Sequence, residues 1–349
     1  MNPYVTLLAA AMEQIAPGVT CTIRDDLSPC WLWRKRREID VLHLHWTELL
    51  YASNTWRGAW RKWLRFISGL GLAKLASARI AYTVHNLEQH EGRYSLLNRT
   101  ANALLFKVAD IVHVHDERTR AAVAERFGCQ RSLVVIPHGN YMSYPNTCSR
   151  EEARARFGIP QQTFVYLALG QIRPYKGIEE LLKAFGRLPG RDCKLIIAGH
   201  VHDPAYGERI KALAAQDERV ILSLAYVPPE EIQYFMNASD VCVLPYLHAT
   251  TSGAAILAFS FGKPVIVPRL GDFPQLVGER RGLLYNAQDP HALLNALRQA
   301  RQFDLVSASA EAFALARELD WRVIARQHLQ VYAGTLEHKS RKKHEGRER

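Results

Sequence analysis

Short runs of β-branched and apolar residues alternate with helical stretches along the whole chain, and that alternation narrows the fold more than any other feature. The runs DVLHLHW, ARIAYTVHN, DIVHVHD and SLVVIPHG read as buried strands closed by polar residues. Between them lie LLNRTANALLFKVA and ERTRAAVAERFG, which carry helical spacing. The second half repeats the scheme. FVYLALG, CKLIIAG, RVILSLAY, DVCVLPY and PVIVP are strand-like, and IEELLKAFGRL, PEEIQYFMNA and DPHALLNALRQA are helical. Such alternation predicts an α/β fold with parallel sheets covered by helices, here in two Rossmann-like domains. A chain of 349 residues has room for both. The polar, Pro-containing stretch from 141 to 162 marks the linker. The expected division is 1–150, 151–312, a C-terminal helix at 313–335 able to cross back to the first domain, and a basic tail at 336–349. The segment NPYVTLLAAAMEQI reads as a helix where a Rossmann-like domain would ordinarily open with a buried strand.

Composition excludes several classes. No apolar run reaches the length of a membrane-spanning helix, and MNPYVTLLAAAMEQIAPG lacks the basic start and cleavage site of a signal peptide. The six cysteines are scattered without a C-x-x-C pair, which argues against disulfides and zinc and fits a reducing cytoplasm. The net charge of +11 is concentrated in two places. Residues 31–79 carry ten lysines and arginines against three acids, and residues 338–349 carry six against two. Both regions are expected to meet something anionic. No nucleic-acid recognition motif accompanies the charge.

Ligands in open parallel sheets bind beyond the carboxyl ends of the strands. FVYLALG runs into GQIRPYKG and a helix, where Gly170 and Gly177 permit tight turns and Arg173 and Lys176 offer cations. After DVCVLPY, the stretch TTSGAAILAFSFGKPV sets Thr250, Thr251, Ser252 and Gly253 before a small-residue helix. Hydroxyls and free amides at a helix start can hold phosphate oxygens, although Ser and Thr there also serve as ordinary caps. In the first half, His43 and His45 alternate with Leu42 and Leu44 and so share one side of a strand. They could bind a metal, but no third ligand is evident, and no metal is expected. In NTWRGAWRKWLRF, Trp56, Trp60 and Trp63 follow helical spacing among Arg57, Arg61, Lys62 and Arg65. Tryptophans interleaved with cations suit the headgroup level of an anionic bilayer. The same stripe could equally be the core-facing side of an amphipathic helix.

Taken in order, LGQIRPYKGIEELLKAF, LIIAGH, LAYVPPEEIQYFMNASDVCVLPY, SFGKPVIVPRLGDFPQLV, GLLYNAQDP and DWRVIARQHLQVY resemble the nucleotide-binding half of GT-B glycosyltransferases of family 4. Two glutamates usual in that family, eight positions apart ahead of the G-K/R-P turn, are Ala249 and Leu257 here. Its usual arginine is Gln171, with Arg173 nearby as a substitute. A closer resemblance is to glycosyltransferase family 94, the bacterial exopolysaccharide β-mannosyltransferases, through IRPYKG and the S-G-x-x-x-L-A-x-S run. VLHLHWTELL and YTVHNLEQHEGR carry the resemblance into the first domain.

That resemblance implies transfer of mannose from GDP-mannose to a polyprenyl-diphosphate-linked glycan during bacterial surface-polysaccharide assembly. It places the enzyme peripherally on the inner face of the plasma membrane, with no metal or other cofactor. An inverting transfer needs a base for the acceptor hydroxyl and a cationic or dipolar hold on the departing diphosphate. Glu91 is the leading base, with Glu48, His90 and His85 as further catalytic candidates, each of which also has an ordinary structural role open to it. Arg173, Lys176, Gly170, Thr251, Ser252 and Gly253 form the expected donor-diphosphate site. A UDP-sugar-dependent transferase, a sugar-nucleotide epimerase and a non-catalytic sugar-nucleotide binder remain as alternatives, the last favoured by Ala249 and Leu257.

Overall fold

The computed structural model describes residues 3–85, 95–128, 133–248 and 252–345, without the side chains of 95 and 337–345. The chain divides into two compact units, residues 1–139 with 321–349, and residues 140–320. The last long helix, Trp321–Glu345, thus belongs to the first unit, and the division falls between Gly139 and Asn140.

In the first unit β1 (Val41–Leu44), β2 (Arg79–Thr83), β3 (Ile111–Val114) and β4 (Leu133–Val135) pair in parallel in sequence order. Alternation along each strand sends successive side chains to opposite faces. One face presents Leu44, Ile80, Tyr82, Val112 and Val114 to the helices Trp56–Leu75 and Ser95–Val108. The other presents Val41, Ala81, Ile111, Val134 and Ile136 to Tyr4, Leu8 and Met12 of the opening helix Tyr4–Ile15 and to Trp321, Ile324 and Ala325 of the last helix. The opening segment is therefore helical, and it completes one face of the sheet.

Helix ends follow local chemistry. Thr55 caps Trp56–Leu75 by accepting from the Gly58 amide at 3.1 Å. Asp116 caps Glu117–Phe127 at the Thr119 amide, 2.7 Å away, and left-handed Gly128 (φ 63°) ends that helix. Ser149 and Glu152 form a reciprocal capping box at the start of Arg150–Arg156.

The second unit holds β5 (Phe164–Leu169), β6 (Cys193–Ala198), β7 (Val220–Ser223), β8 (Val241–Val243), β9 (Val265–Pro268) and β10 (Gly282–Tyr285), in the order β10-β9-β8-β5-β6-β7 and all parallel. β10 lies in the GLLYNAQDP stretch and carries no strand signature of its own beyond four residues at the sheet edge. Tyr166, Leu195, Ile197 and Val243 pack on one face against the helices Ile178–Gly186 and Ala292–Ala300. Val165, Leu167, Ile196 and Val267 pack on the other, against Phe235, Phe259 and Ala312. The strand order reverses between β5 and β8, the topological switch point at which open α/β sheets bind ligands.

Candidate active site

At the switch point the loops after β5 and β8 are tied together. The Leu247 amide donates to the Tyr175 carbonyl at 2.8 Å, and Gly177 sits so close to Pro245 that a Cβ would lie 1.9 Å from its carbonyl oxygen. With φ at 68° as well, only glycine fits at 177. The turn Pro174–Lys176 thereby brings the Lys176 ammonium 3.7 Å from the centre of the Tyr246 ring. Burial pushes the Tyr246 hydroxyl pKa up, and Ser252 lies close enough to oppose that rise. Ser252, buried, caps the helix Gly253–Ser260 by accepting from the Ala255 amide at 3.3 Å. Lys176, Tyr246 and Ser252 are therefore one continuous contact leading to a helix start, with Gly253 as its first residue. Burial pulls the Lys176 pKa below its ordinary value, and a charge with little water around it interacts more strongly with an anion.

Of the other expected donor-site residues, Gly170 and Arg173 are described. Gly170 takes φ 137° directly after β5, and a Cβ on the neighbouring Gly199 would lie 1.7 Å from the Gly170 carbonyl oxygen. Arg173 precedes the Pro174–Lys176 turn in extended conformation. Leu257 lies on the Gly253–Ser260 helix and packs against the core. Thr250, Thr251 and Ala249 lie outside the described residues. Tyr246 was not singled out by sequence reasoning. Its signal was the tyrosine closing DVCVLPY, one step past the buried strand.

In the first unit the carboxyl ends of four strands deliver His45, His85, His115 and His138 to one face, the face that carries Val41, Ala81, Ile111 and Val134 lower down. The Tyr4 ring packs against all four, with centroid distances of 5.4, 4.9, 5.5 and 4.9 Å. A carbonyl can only accept, so the contact of His115 Nδ1 with the Ile136 oxygen at 3.1 Å places the hydrogen on that nitrogen. His115 Nε2 then accepts from His85 Nδ1 at 3.3 Å, and His85 Nε2 accepts from His45 Nδ1 at 3.0 Å. Burial pulls His45 and His138 down to about 3 and His85 well below its usual range, and neighbouring imidazoles add to the effect. The row is neutral and directional. His85, named above as a catalytic candidate, has both ring nitrogens engaged and stacks on Trp46 at 3.8 Å.

Glu48 opens the short helix Glu48–Tyr51, is partly buried, and has its carboxyl pKa raised by desolvation. Among the described candidates it alone is a carboxylate shifted toward the range of a general base. Glu91 and His90 lie outside the described residues.

On the helix Trp56–Leu75 the buried residues are Ala59, Phe66, Gly69, Leu70 and Ala73. Trp56 and Trp60 are exposed at 48% and 38%, beside the exposed Arg57 and Arg61, so these two rings do not face the core, whereas Trp63 packs against it. Trp63 is half-buried, and its indole donates to the Leu97 carbonyl at 3.1 Å. The three rings contact edge to face, 6.4 and 5.3 Å apart. No described helix is long and apolar enough to cross a membrane.

Residues 163–302 match the family described as glycosyl transferases group 1. The chain is 27% identical over 339 residues to the GDP-mannose:glycolipid 4-beta-D-mannosyltransferase of Xanthomonas campestris pv. campestris, covering 96% of this chain and 89% of that protein. It is 26% identical over 321 residues to the D-inositol 3-phosphate glycosyltransferase of Corynebacterium glutamicum, covering 86% and 73%. Among solved structures, Anabaena HepE in complex with UDP and glucose superposes with a TM-score of 0.73 at 18% identity, over 93% of this chain and 83% of that one. The chain is a glycosyltransferase of the GT-B fold whose second unit carries a glycosyl transferases group 1 domain.

Proposed function

We propose that the chain moves mannose from GDP-mannose to a lipid-linked oligosaccharide in bacterial surface-polysaccharide synthesis, working from the cytoplasmic face of the membrane. The observation that carries the reading is the Lys176–Tyr246–Ser252 contact at the switch point of the second sheet. The departing diphosphate needs a cation and oriented N–H groups where its charge develops. Lys176 supplies the first, and the start of Gly253–Ser260 supplies the second. Gly170 keeps the loop close, and Arg173 adds a second cation in place of the arginine replaced by Gln171. Thr251 precedes Ser252 in the sequence and offers a further hydroxyl for the same purpose. The mannosyl donor is supported by the Xanthomonas relative, whose alignment runs through both units.

For the acceptor, Trp56 and Trp60 with Arg57 and Arg61 offer an exposed aromatic and cationic edge suited to the headgroups around a polyprenyl-linked substrate. Glu48 or Glu91 takes the acceptor proton. A UDP-sugar donor is the second reading, favoured by the UDP and glucose bound in HepE.

The test follows labelled sugar from GDP-mannose, and separately from UDP-glucose, into lipid extracted from membranes that hold polyprenyl-linked acceptors. The expected result is lipid-borne label from GDP-mannose. Label from UDP-glucose alone replaces the donor. Donor binding without transfer to any acceptor favours a non-catalytic sugar-nucleotide binder.

A further inference from the structure

One layer below the row of imidazoles, the same face of the first sheet carries His43 on β1, Thr83 on β2 and His113 on β3. The helix Trp321–Glu345 lays His328 and Tyr332 over them. The three imidazoles meet there. Ring centroids stand 5.3 Å apart for His43 and His113, 5.4 Å for His43 and His328, and 4.3 Å for His113 and His328. One ring nitrogen from each lies within 4.8 Å of one from each of the others.

Hydrogen bonding in this layer is unequal. His43 is held on both sides, by the Thr83 hydroxyl at Nε2 and by the Tyr332 hydroxyl at Nδ1, each at 2.7 Å. His113 and His328 are 1% and 0% exposed, and neither ring nitrogen of either has a hydrogen-bond partner among the described residues. Leaving a buried polar group unsatisfied costs about 1–3 kcal/mol, and here four nitrogens in two adjoining rings share that condition. Packing alone does not account for it. An apolar side chain in either place would fill the space without the cost, whereas three imidazole nitrogens within 4.8 Å of one another fit a cation that draws its ligands from nitrogen. Burial also keeps all three rings neutral, the form that ligates.

We propose that His43, His113 and His328 bind a divalent transition metal of the zinc class. Three nitrogen donors without carboxylates suit zinc, and cobalt or nickel as its spectroscopic substitutes, and do not suit magnesium or calcium. Zinc–nitrogen bonds of about 2.0–2.1 Å set tetrahedral ligand nitrogens about 3.3 Å apart, so the rings must turn to close from a spacing of up to 4.8 Å. His43 ligates through one nitrogen and keeps Thr83 or Tyr332 on the other, the outer contact that fixes the ring of a metal-bound histidine. The fourth position goes to water or to the Tyr332 oxygen. The expectation of no metal rested on His43 and His45 having no third ligand. The useful partner of His43 is not its near neighbour in sequence but His113 on another strand and His328 on the last helix. The ion would fasten that helix to the sheet.

The test uses the full, untagged chain, stripped with chelator and then given zinc. Retention of about one zinc per chain after dialysis, with a rise in Tm of roughly 5 °C or more at saturating zinc, is the expected result. Cobalt in place of zinc should give visible d–d absorption, and His328→Leu, which removes an unpartnered polar ring, should fold yet bind neither ion. If that variant does not fold, His328→Gln takes its place. Folded wild-type protein that retains no zinc, shows no change in Tm and gives no cobalt bands overturns the proposal. So does equal zinc retention by the His328 variant, which would locate the ion elsewhere.

Discussion

The two units share one plan and use it differently. Each is a parallel sheet with helices on both faces, and each collects its polar groups at the carboxyl ends of its strands. In the second unit those groups are a cation, a hydroxyl and bare backbone, held by glycines whose side-chain space is already taken by neighbouring carbonyls. In the first they are neutral imidazoles stacked in two layers under Tyr4 and the last helix. One arrangement suits an anion. The other offers nitrogen lone pairs and refuses positive charge on its own rings. A shared backbone therefore says where a site can form, and the residues that end the strands say what it can hold.

The contrast can be broken by substitution. Gly199→Ala should be the most damaging change to the second unit, since its Cβ would lie 1.7 Å from the Gly170 carbonyl oxygen at a φ of 147°. A loss of about 3 kcal/mol is expected in urea unfolding, with the first unit's transition unmoved if the two unfold separately. A shift below about 0.5 kcal/mol would show that the loop after β5 is not held as tightly as described.

Glu48→Gln probes the first unit in the same way. With the raised carboxyl of Glu48 removed from the first unit, transfer should slow roughly 100-fold while donor affinity in the second stays unchanged. Steady-state rates and GDP-mannose titration separate the two, and full-rate transfer would hand the proton to another group, Glu91 first.

Acid should single out the first unit. The folded pKa of His138 lies at about 3, below the unfolded value of about 6.5, because burial and then His115 disfavour its cation. Its contribution is complete above the unfolded value and falls as pH drops toward the folded one, by at most about 1.4 kcal/mol per pH unit. Denaturation midpoints measured with chelator present, from pH 7 to pH 4.5, should fall less steeply for His138→Gln than for wild type. Equal slopes would mean the ring is already charged or solvated.

The smallest change is Gly71→Ala on the exposed side of the Trp56–Leu75 helix, where an added Cβ meets nothing within 4 Å. Helix propensity predicts a gain of up to about 1 kcal/mol, against the loss at Gly199. A loss at Gly71 would reveal a packing partner on that face.

Most of the scaffold was legible because buried parallel strands write themselves as Val- and Ile-rich runs. β10 was not, since GLLY is four residues long and blends into the following turn. Lys176 and Ser252 were legible as turn and helix-start residues, because their roles depend on neighbours in sequence. Tyr246, which joins them, depends on the adjacency of β5 and β8, and no local pattern reports that. The histidine face shows the same limit. HLH and HVH display alternation within a strand, yet only strand order and a helix returning from 321 bring His43, His113 and His328 together.

Lys176 and the Ser252–Gly253 helix start are the proposed hold on the diphosphate of the sugar donor. Titration calorimetry of GDP-mannose into wild-type protein and into Lys176→Ala tests it most directly. Loss of a charge-assisted phosphate contact predicts binding weakened roughly 10- to 100-fold in the variant, with folding intact. Equal affinity in the two proteins would contradict the account and move the donor away from the switch point of the second sheet.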